Sequence, residues 1–204
     1  MKTKQNLPET FSLDTLPGVT HIVCLDEVSS TQVVARELAQ EGASDKTLVL
    51  AEAQTEGRGR QGNTWESARG GLYMTLLLRP EAGVRFLPEL ALLSGEVASE
   101  SLAAVFGIKT MVKKPNDVLA WHPRKRKWLK IAGILTESAS VTGSPDWLLL
   151  GMGVNILNKV SLPSAVCAKD LSKSPAGRGA LLQDFFRRFW TRYSAWEYSS
   201  RSKS

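Results

Sequence analysis

Glu56-Gly57-Arg58-Gly59-Arg60-Gln61-Gly62-Asn63-Thr64-Trp65 sets three glycines and two arginines within six residues. Glycine lets the backbone turn tightly and lets a ligand approach the main chain. Arginine carries a permanent charge on a planar fork of donors that suits phosphate or carboxylate. A stretch combining both reads as a cradle for an anion, with Trp65 as an aromatic wall at its end. The flanks decide the fold. Residues 47–53 (TLVLAEA) before the stretch and residues 72–78 (LYMTLLL) after it both read as strands. Gly57, Gly59 and Gly62 spell G-x-G-x-x-G, but a dinucleotide-binding unit needs a helix next, and residues 63–71 are polar and glycine-rich. The spacing of Gly57 and Gly62 is also that of a P-loop, with Asn63 where a lysine is required. The stretch is therefore a loop between two strands, built neither as a Rossmann fingerprint nor as a Walker A loop. The alternative that the stretch leaves open is a tight glycine turn with two solvated arginines, and the anion cradle is the favoured reading.

Upstream, residues 19–25 read as a strand and residues 33–40 as a helix that Gly42 ends. Between them, Ser29 and Gln32 have the spacing of a capping box. Ser30 and Thr31 stand at the same helix start, where they either cap it or, with the backbone amides, bind a polar ligand group. Gln54 lies at the mouth of the glycine loop and faces either solvent or that ligand.

Downstream, residues 86–106 form a long helix whose Leu90, Leu93, Val97, Leu102 and Val105 approximate one apolar stripe, with Gly107 as its stop. Strands follow at 108–113, 118–121, 128–137 and 146–156. Lys114-Pro115-Asn116-Asp117 is a polar turn. Beside a nucleotide, Lys113 would contact a phosphate and the Asp117 carboxylate would hold Mg²⁺. Strict alternation puts Lys130 on one face with Ala132, Ile134 and Thr136, and Gly133 on the other. Gly133, Gly151 and Gly153 inside strands mark places where something approaches the backbone. The 138–145 segment is a turn and 157–179 an irregular connection. Residues 180–196 form a helix with an aromatic core face of Leu182, Phe185, Phe186, Phe189, Trp190, Tyr193 and Trp196.

Composition narrows the function classes. A chain of 204 residues is long enough for one domain with a real core, and a net charge of +6 fits an anionic ligand or an acidic partner. Arg124-Lys125-Arg126-Lys127 accounts for much of the excess and reads as a solvated hairpin tip. Cys24 and Cys167 stand alone, and His21 and His122 are in unrelated contexts, so a zinc-type site is not expected. No apolar leader or run of ~18 apolar residues is present, which sets a cytoplasmic protein as the expectation.

Four motifs then occur in order: Glu52-Ala-Gln-Thr-Glu-Gly-Arg-Gly-Arg-Gln-Gly-Asn-Thr-Trp65, Lys113-Lys-Pro-Asn-Asp117, Lys130-Ile-Ala-Gly-Ile-Leu-Thr-Glu137 and Gly151-Met-Gly-Val-Asn155, with Ser30-Thr31 upstream. Together they resemble the biotin protein ligase family. The resemblance implies an α/β (α+β) fold of the class II aminoacyl-tRNA synthetase and biotin synthetase type, a mixed sheet with helices packed behind it. It implies an enzyme that makes biotinyl-5′-AMP from biotin and ATP, with Mg²⁺, and passes the biotin to a lysine of the carboxyl carrier domain of acetyl-CoA carboxylase or another biotin-dependent carboxylase. Carried over residue by residue, Ser30, Thr31, Gln32 and Gln54 surround the biotin ring, with Gly133 beside it. Arg58, Gly59, Arg60 and Lys130 serve the reacting carboxylate and α-phosphate, with Arg58, Arg60 and Lys130 as the catalytic set. Arg60, Trp65, Lys113, Asn116 and Asn155 serve ATP, and Asp117 the Mg²⁺. Lys114 replaces the Trp usual in the second motif, and Asn63 replaces a frequent Arg in the first. The implied organisation is a lead-in at 1–18 and a catalytic domain at 19–204. The expected chain is a monomer or homodimer without the DNA-binding domain of repressor-type members or the small C-terminal β domain. A lipoate or octanoyl ligase-transferase on the same fold and a non-catalytic biotin-binding remnant are the alternatives.

Overall fold

The computed structural model describes residues 16–140 and 145–201. The elements run β1 (His21–Val28), α1 (Thr31–Gln40), β2 (Thr47–Gln54), β3 (Leu72–Leu78), α2 (Leu87–Phe106), β4 (Thr110–Lys113), β5 (Asp117–His122), β6 (Lys127–Ser140), β7 (Pro145–Val154) and α3 (Arg178–Arg201). Most of the lead-in expected at 1–18 lies outside the described residues, as does the centre of the turn expected at 138–145. β6 extends to Ser140 and β7 starts at Pro145, so residues 138–140 are strand and not turn. Leu16, at the edge of the described residues, is buried in the main core.

The strands form one seven-stranded sheet in the order β1-β2-β3-β7-β6-β5-β4. β1 and β2 are parallel, joined across α1, and every other neighbouring pair is antiparallel. All seven residues of β3 are buried, because helices cover both faces of the sheet there. That explains its unbroken apolar run. α2 and α3 pack on one face over the larger core, which includes Leu48, Leu76, Leu102, Leu150 and Phe186. α1 lies on the other face over a small cluster of Ala35, Ala39, Val49, Leu77, Trp147 and Leu149. The expectation of helices behind the sheet therefore holds for α2 and α3, while α1 shares the front face with the cleft described below.

Two local expectations are corrected. The N-cap of α1 is Ser30, whose side chain accepts from the Gln32 amide at 3.3 Å; Ser29 does not cap it. This shift sends Gln32 into the protein, where it is 2% exposed. Strict alternation also fails in β6. Val118 pairs with Ala132 and Leu119 with Lys130, which leaves Ile131 without a partner on β5. The bulge flips the strand. Ile131 and Ala132 both join the core, and Lys130 and Gly133 come to the same side: a Cβ built on Gly133 would lie 3.4 Å from Lys130 Cε.

α3 is anchored by aromatic packing. Phe185, Phe186 and Phe189 are each 0% exposed, and Phe185 stacks on Phe189 with 5.5 Å between ring centres. Arg188 and Arg192 reach Glu100 and Glu96 on α2. Asp184 sits at the buried base of this network and accepts from Arg188 Nε at 2.6 Å and from Arg187. Burial pushes its carboxyl up, but hydrogen bonds from Arg188, Ser101 and Arg187, with the Arg188 charge, outweigh that and hold it below its usual value. A folded-state pKa below the unfolded one contributes stability above the unfolded value, about 3.9, and loses it as pH falls through the folded one. Acid unfolding followed by circular dichroism should therefore fall less steeply below about pH 4 in Asp184→Asn than in the parent chain. Parallel acid curves for the two would show that Asp184 contributes nothing. Among the described residues no helix is long and apolar enough to cross a membrane.

Candidate functional site

The glycine loop folds on itself as a narrow hairpin. Trp65 N donates to the Gly57 carbonyl at 2.8 Å, and Gly59 N donates to the Asn63 carbonyl at 2.7 Å. Gln61 (φ 55°) and Gly62 (φ 76°) turn its tip through the left-handed region. A side chain at Gly57 would strike the Trp65 carbonyl and Ser67 Oγ, so this position needs its glycine for close approach. The tip is tied down: Arg60 Nη1 donates to Asn116 Oδ1 at 3.3 Å, and Asn116 Nδ2 donates to the Ile134 carbonyl at 2.7 Å.

Under this loop lies a cleft that opens to solvent. Its walls are Ser30, Thr31 and Gln32 from the start of α1, Gln54 from β2, Arg58, Gly59, Arg60 and Trp65 from the loop, and Asn116 and Lys130. Its floor is Met74, Thr75, Gly133, Ile134, Leu135, Gly151, Met152 and Gly153, from β3, β6 and β7. The floor is bare backbone at two places. Gly133 and Gly153 are cross-strand partners, and the Trp65 indole rests on them; a Cβ at Gly153 would lie 2.5 Å from its Nε1. Thr75 and Gly151 are cross-strand partners, and the Gln32 carboxamide rests there; a Cβ at Gly151 would lie 2.6 Å from its Oε1. Both occupants carry a buried donor without a protein partner, Trp65 Nε1 and Gln32 Nε2. Buried polar groups are normally paired, so both are poised for a ligand that brings acceptors.

Cations gather near the Trp65 seat. Lys130 Nζ lies 5.1 Å from the centre of the Trp65 ring and 2.6 Å from Asp117 Oδ1. The irregular connection after β7 holds the Lys130 backbone: Lys130 N donates to the Ser164 carbonyl, and Val166 N to the Lys130 carbonyl, both at 2.9 Å. Arg58 and Arg60 are exposed along the lip. Gln54 is committed on both sides. Its Oε1 accepts from Thr31 N at 2.8 Å, and its Nε2 donates to Ser67 Oγ at 2.7 Å.

The structure thus brings together Ser30, Thr31, Gln32, Gln54, Arg58, Gly59, Arg60, Trp65, Asn116, Lys130 and Gly133. Three expected residues stand apart from the lining. Lys113 is exposed on β4. Asn155 is 5% exposed and accepts from Asn158 Nδ2 at 2.9 Å, so its side chain serves a loop network. Asp117 is occupied by Lys130. A Mg²⁺ arriving with a nucleotide would meet that one already paired carboxylate, and among the described residues no group of three or more His, Cys, Asp or Glu could hold a metal. The donor set does not fit a metal held by the protein. Thr75 and Ser67 were missed by the sequence reading. Thr75 left one trace, as the single polar residue in the 72–78 run.

The mixed seven-stranded sheet with its helices matches the fold of solved biotin protein ligases. The biotin protein ligase of Aquifex aeolicus in complex with biotin and ATP matches with a TM-score of 0.71 and 30% identity, over 88% of this chain and 73% of that one. The Leishmania major biotin protein ligase in complex with biotinyl-5-AMP gives 0.71 and 28%, over 87% and 76%. Residues 24–155 match the Biotin/lipoate A/B protein ligase family, and the chain belongs to it. Among its relatives, the bifunctional ligase/repressor BirA of Bacillus spizizenii is 37% identical over 147 residues, which is 72% of this chain and 43% of that protein. The biotin--[acetyl-CoA-carboxylase] ligase of Mycobacterium tuberculosis is 30% identical over 183 residues, 84% of this chain and 65% of that one. The chain thus spans less than half of the Bacillus protein.

Proposed function

We propose that the chain activates biotin with ATP as biotinyl-5′-AMP and then transfers the biotin to a lysine of a carboxyl carrier domain. One observation carries this reading. The cleft sets a neutral, unpaired amide donor, Gln32 Nε2, at one seat and the cations Lys130, Arg58 and Arg60 around the other. Biotin has the complementary layout, a urea carbonyl on its ring and a carboxylate at the end of its tail.

The chemistry asks two anions to meet. The biotin carboxylate oxygen attacks the α-phosphorus of ATP, a new P–O bond forms, and the bond to pyrophosphate breaks. Charge builds on the phosphate oxygens as this happens. Fixed cations that face those oxygens offset the repulsion and stabilise the developing charge. Lys130 is held for that work by Asp117, by Trp65 and by its own backbone bonds. In the second step the carrier amine attacks the acyl carbon, the C–O bond to AMP breaks, and the amine proton passes to solvent. No enzyme nucleophile is needed. Trp65 and the loop over it would keep water from the adenylate.

Two relatives are named as biotin--[acetyl-CoA-carboxylase] ligases, from Paracoccus denitrificans and Mycobacterium tuberculosis, which supports a carrier domain of that enzyme as the acceptor. The test is to incubate the chain with biotin, Mg-ATP and a carrier domain, to follow pyrophosphate and to weigh the carrier. Release of pyrophosphate with a carrier heavier by one biotinyl group is expected. A carrier modified only when lipoate replaces biotin would reject the reading, and biotin binding without pyrophosphate would favour a non-catalytic remnant.

A further inference from the structure

We propose that Thr75 is a positioning residue for ligand selectivity: by holding the oxygen of the Gln32 carboxamide it turns that group's NH₂ into the cleft, so the site selects a ring that carries a urea-type carbonyl. This rests on the biotin reading above.

The hydrogen count fixes the direction. Thr75 Oγ1 lies 2.9 Å from Gln32 Oε1 and 2.9 Å from Thr31 Oγ1. A threonine hydroxyl has one hydrogen to give, and an amide oxygen has none. The contact between the two threonines is bonded by either hydroxyl. The Thr31 hydroxyl has two acceptors within reach, Thr75 Oγ1 at 2.9 Å and, farther off, Gln54 Oε1 at 3.1 Å. Gln54 Oε1 already takes the Thr31 backbone hydrogen at 2.8 Å, and only a Thr31 hydrogen given to Thr75 leaves both Thr75 contacts bonded. The Thr75 hydrogen then belongs to Gln32 Oε1. The carboxamide oxygen is then bonded, and Nε2 of this cleft-lining residue is left buried with no protein partner.

The seat is built for this orientation. Thr75 is 0% exposed and Gln32 is 2% exposed, so solvent does not compete for the hydroxyl. Gly151, the cross-strand partner of Thr75, offers the carboxamide a bare backbone to lie on, where a Cβ would come within 2.6 Å of Oε1. A donor buried without an acceptor is unfavourable, and a ligand that supplies the acceptor removes that cost. The biotin ring supplies a carbonyl. The lipoyl ring supplies two sulfurs, which accept weakly. A site made to bond one group discriminates strongly against an analogue without it.

Calorimetric titration with biotin, 2-iminobiotin and lipoate, with ATP as the control for folding, tests this on four forms of the chain. 2-Iminobiotin replaces the urea with a guanidinium in its protonated form, a donor where biotin has an acceptor. The parent chain should prefer biotin over both. Thr75→Val should weaken biotin about tenfold and leave ATP binding in place, and Thr75→Ser, which keeps the hydroxyl, should stay within about twofold of the parent. Gln32→Glu should invert the preference from biotin to 2-iminobiotin, a change that a merely structural defect would not produce. Unchanged biotin affinity in Thr75→Val, together with an unchanged preference in Gln32→Glu, would overturn the proposal while leaving the biotin reading intact. A parent chain that binds lipoate and not biotin would overturn the biotin reading, and this proposal with it.

Discussion

Lys130→Ala should slow pyrophosphate release from biotin and ATP by about 10²–10³-fold, the scale on which one preorganised charge-stabilising donor acts. The argument is geometric. Lys130 Nζ is fixed at 2.6 Å from Asp117 and lies over the Trp65 ring, on the same side of β6 as Gly133. A charge held in place before the reaction needs no reorganisation when the phosphate charge develops. The arginines of the lip are exposed, and Arg60 is turned to Asn116, so they do not replace it. Stability should change little, because the Lys130 side chain is 34% exposed and its partner 25%, and pairs of that kind contribute about 0–1 kcal/mol. Lys130→Arg should not restore the rate, since a guanidinium is broader than the ammonium that the seat between Asp117 and Trp65 holds. Stopped-flow detection of pyrophosphate, with a melting curve for each variant, is the measurement. A normal rate in a stable Lys130→Ala chain would remove Lys130 from the chemistry.

Phe186→Ala should have the opposite profile. Phe186 is 0% exposed and sits edge-on to Phe185 at 5.4 Å, in the core between α3 and the sheet. Emptying such a site costs about 3–5 kcal/mol through lost transfer energy and the cavity left behind. For a chain of this size that corresponds to a fall in melting temperature of roughly 6–20 °C. At a temperature where the variant is still folded, its KM values for biotin and ATP should match the parent's. α3 lies on the face of the sheet away from the cleft, and the seats of Gln32 and Trp65 do not touch it. A variant that melts normally would show that the aromatic face can collapse to fill the gap.

The two residues also differ in how far each could be read in advance. Phe186 belongs to a periodic aromatic face, and periodicity is a property of the chain alone. Lys130 stands in a motif, which marks it by resemblance, but its side of the strand was misread. Alternation assigned Gly133 to the opposite face, and the unpaired Ile131 reversed that. A bulge depends on what the partner strand offers, so a single strand's pattern does not contain it. Ser29 and Ser30 show the same limit. Both fit a cap, and the turn into α1 chose Ser30, which released Gln32 toward the sheet. Asn155 was read as a ligand-side residue, and Asn158, three residues on, claimed it. Gly151 and Gly153 were read as places of close approach, and the occupants are two side chains from distant segments, Gln32 and Trp65.

The strands around the glycine loop, the aromatic helix, the long helix before β4 and the cationic character of the loop are all legible in the chain alone. These follow from apolar periodicity, glycine freedom and fixed charge, all of which act over a few residues. Which polar groups share the cleft, that Thr75 meets Gln32, and that Asp117 is committed to Lys130 emerge only in the folded chain. Those are contacts between residues far apart in the chain, set by strand register and by the packing of α1 on the sheet, and a hydrogen bond or an ion pair exists only once both partners have been brought within about 3 Å.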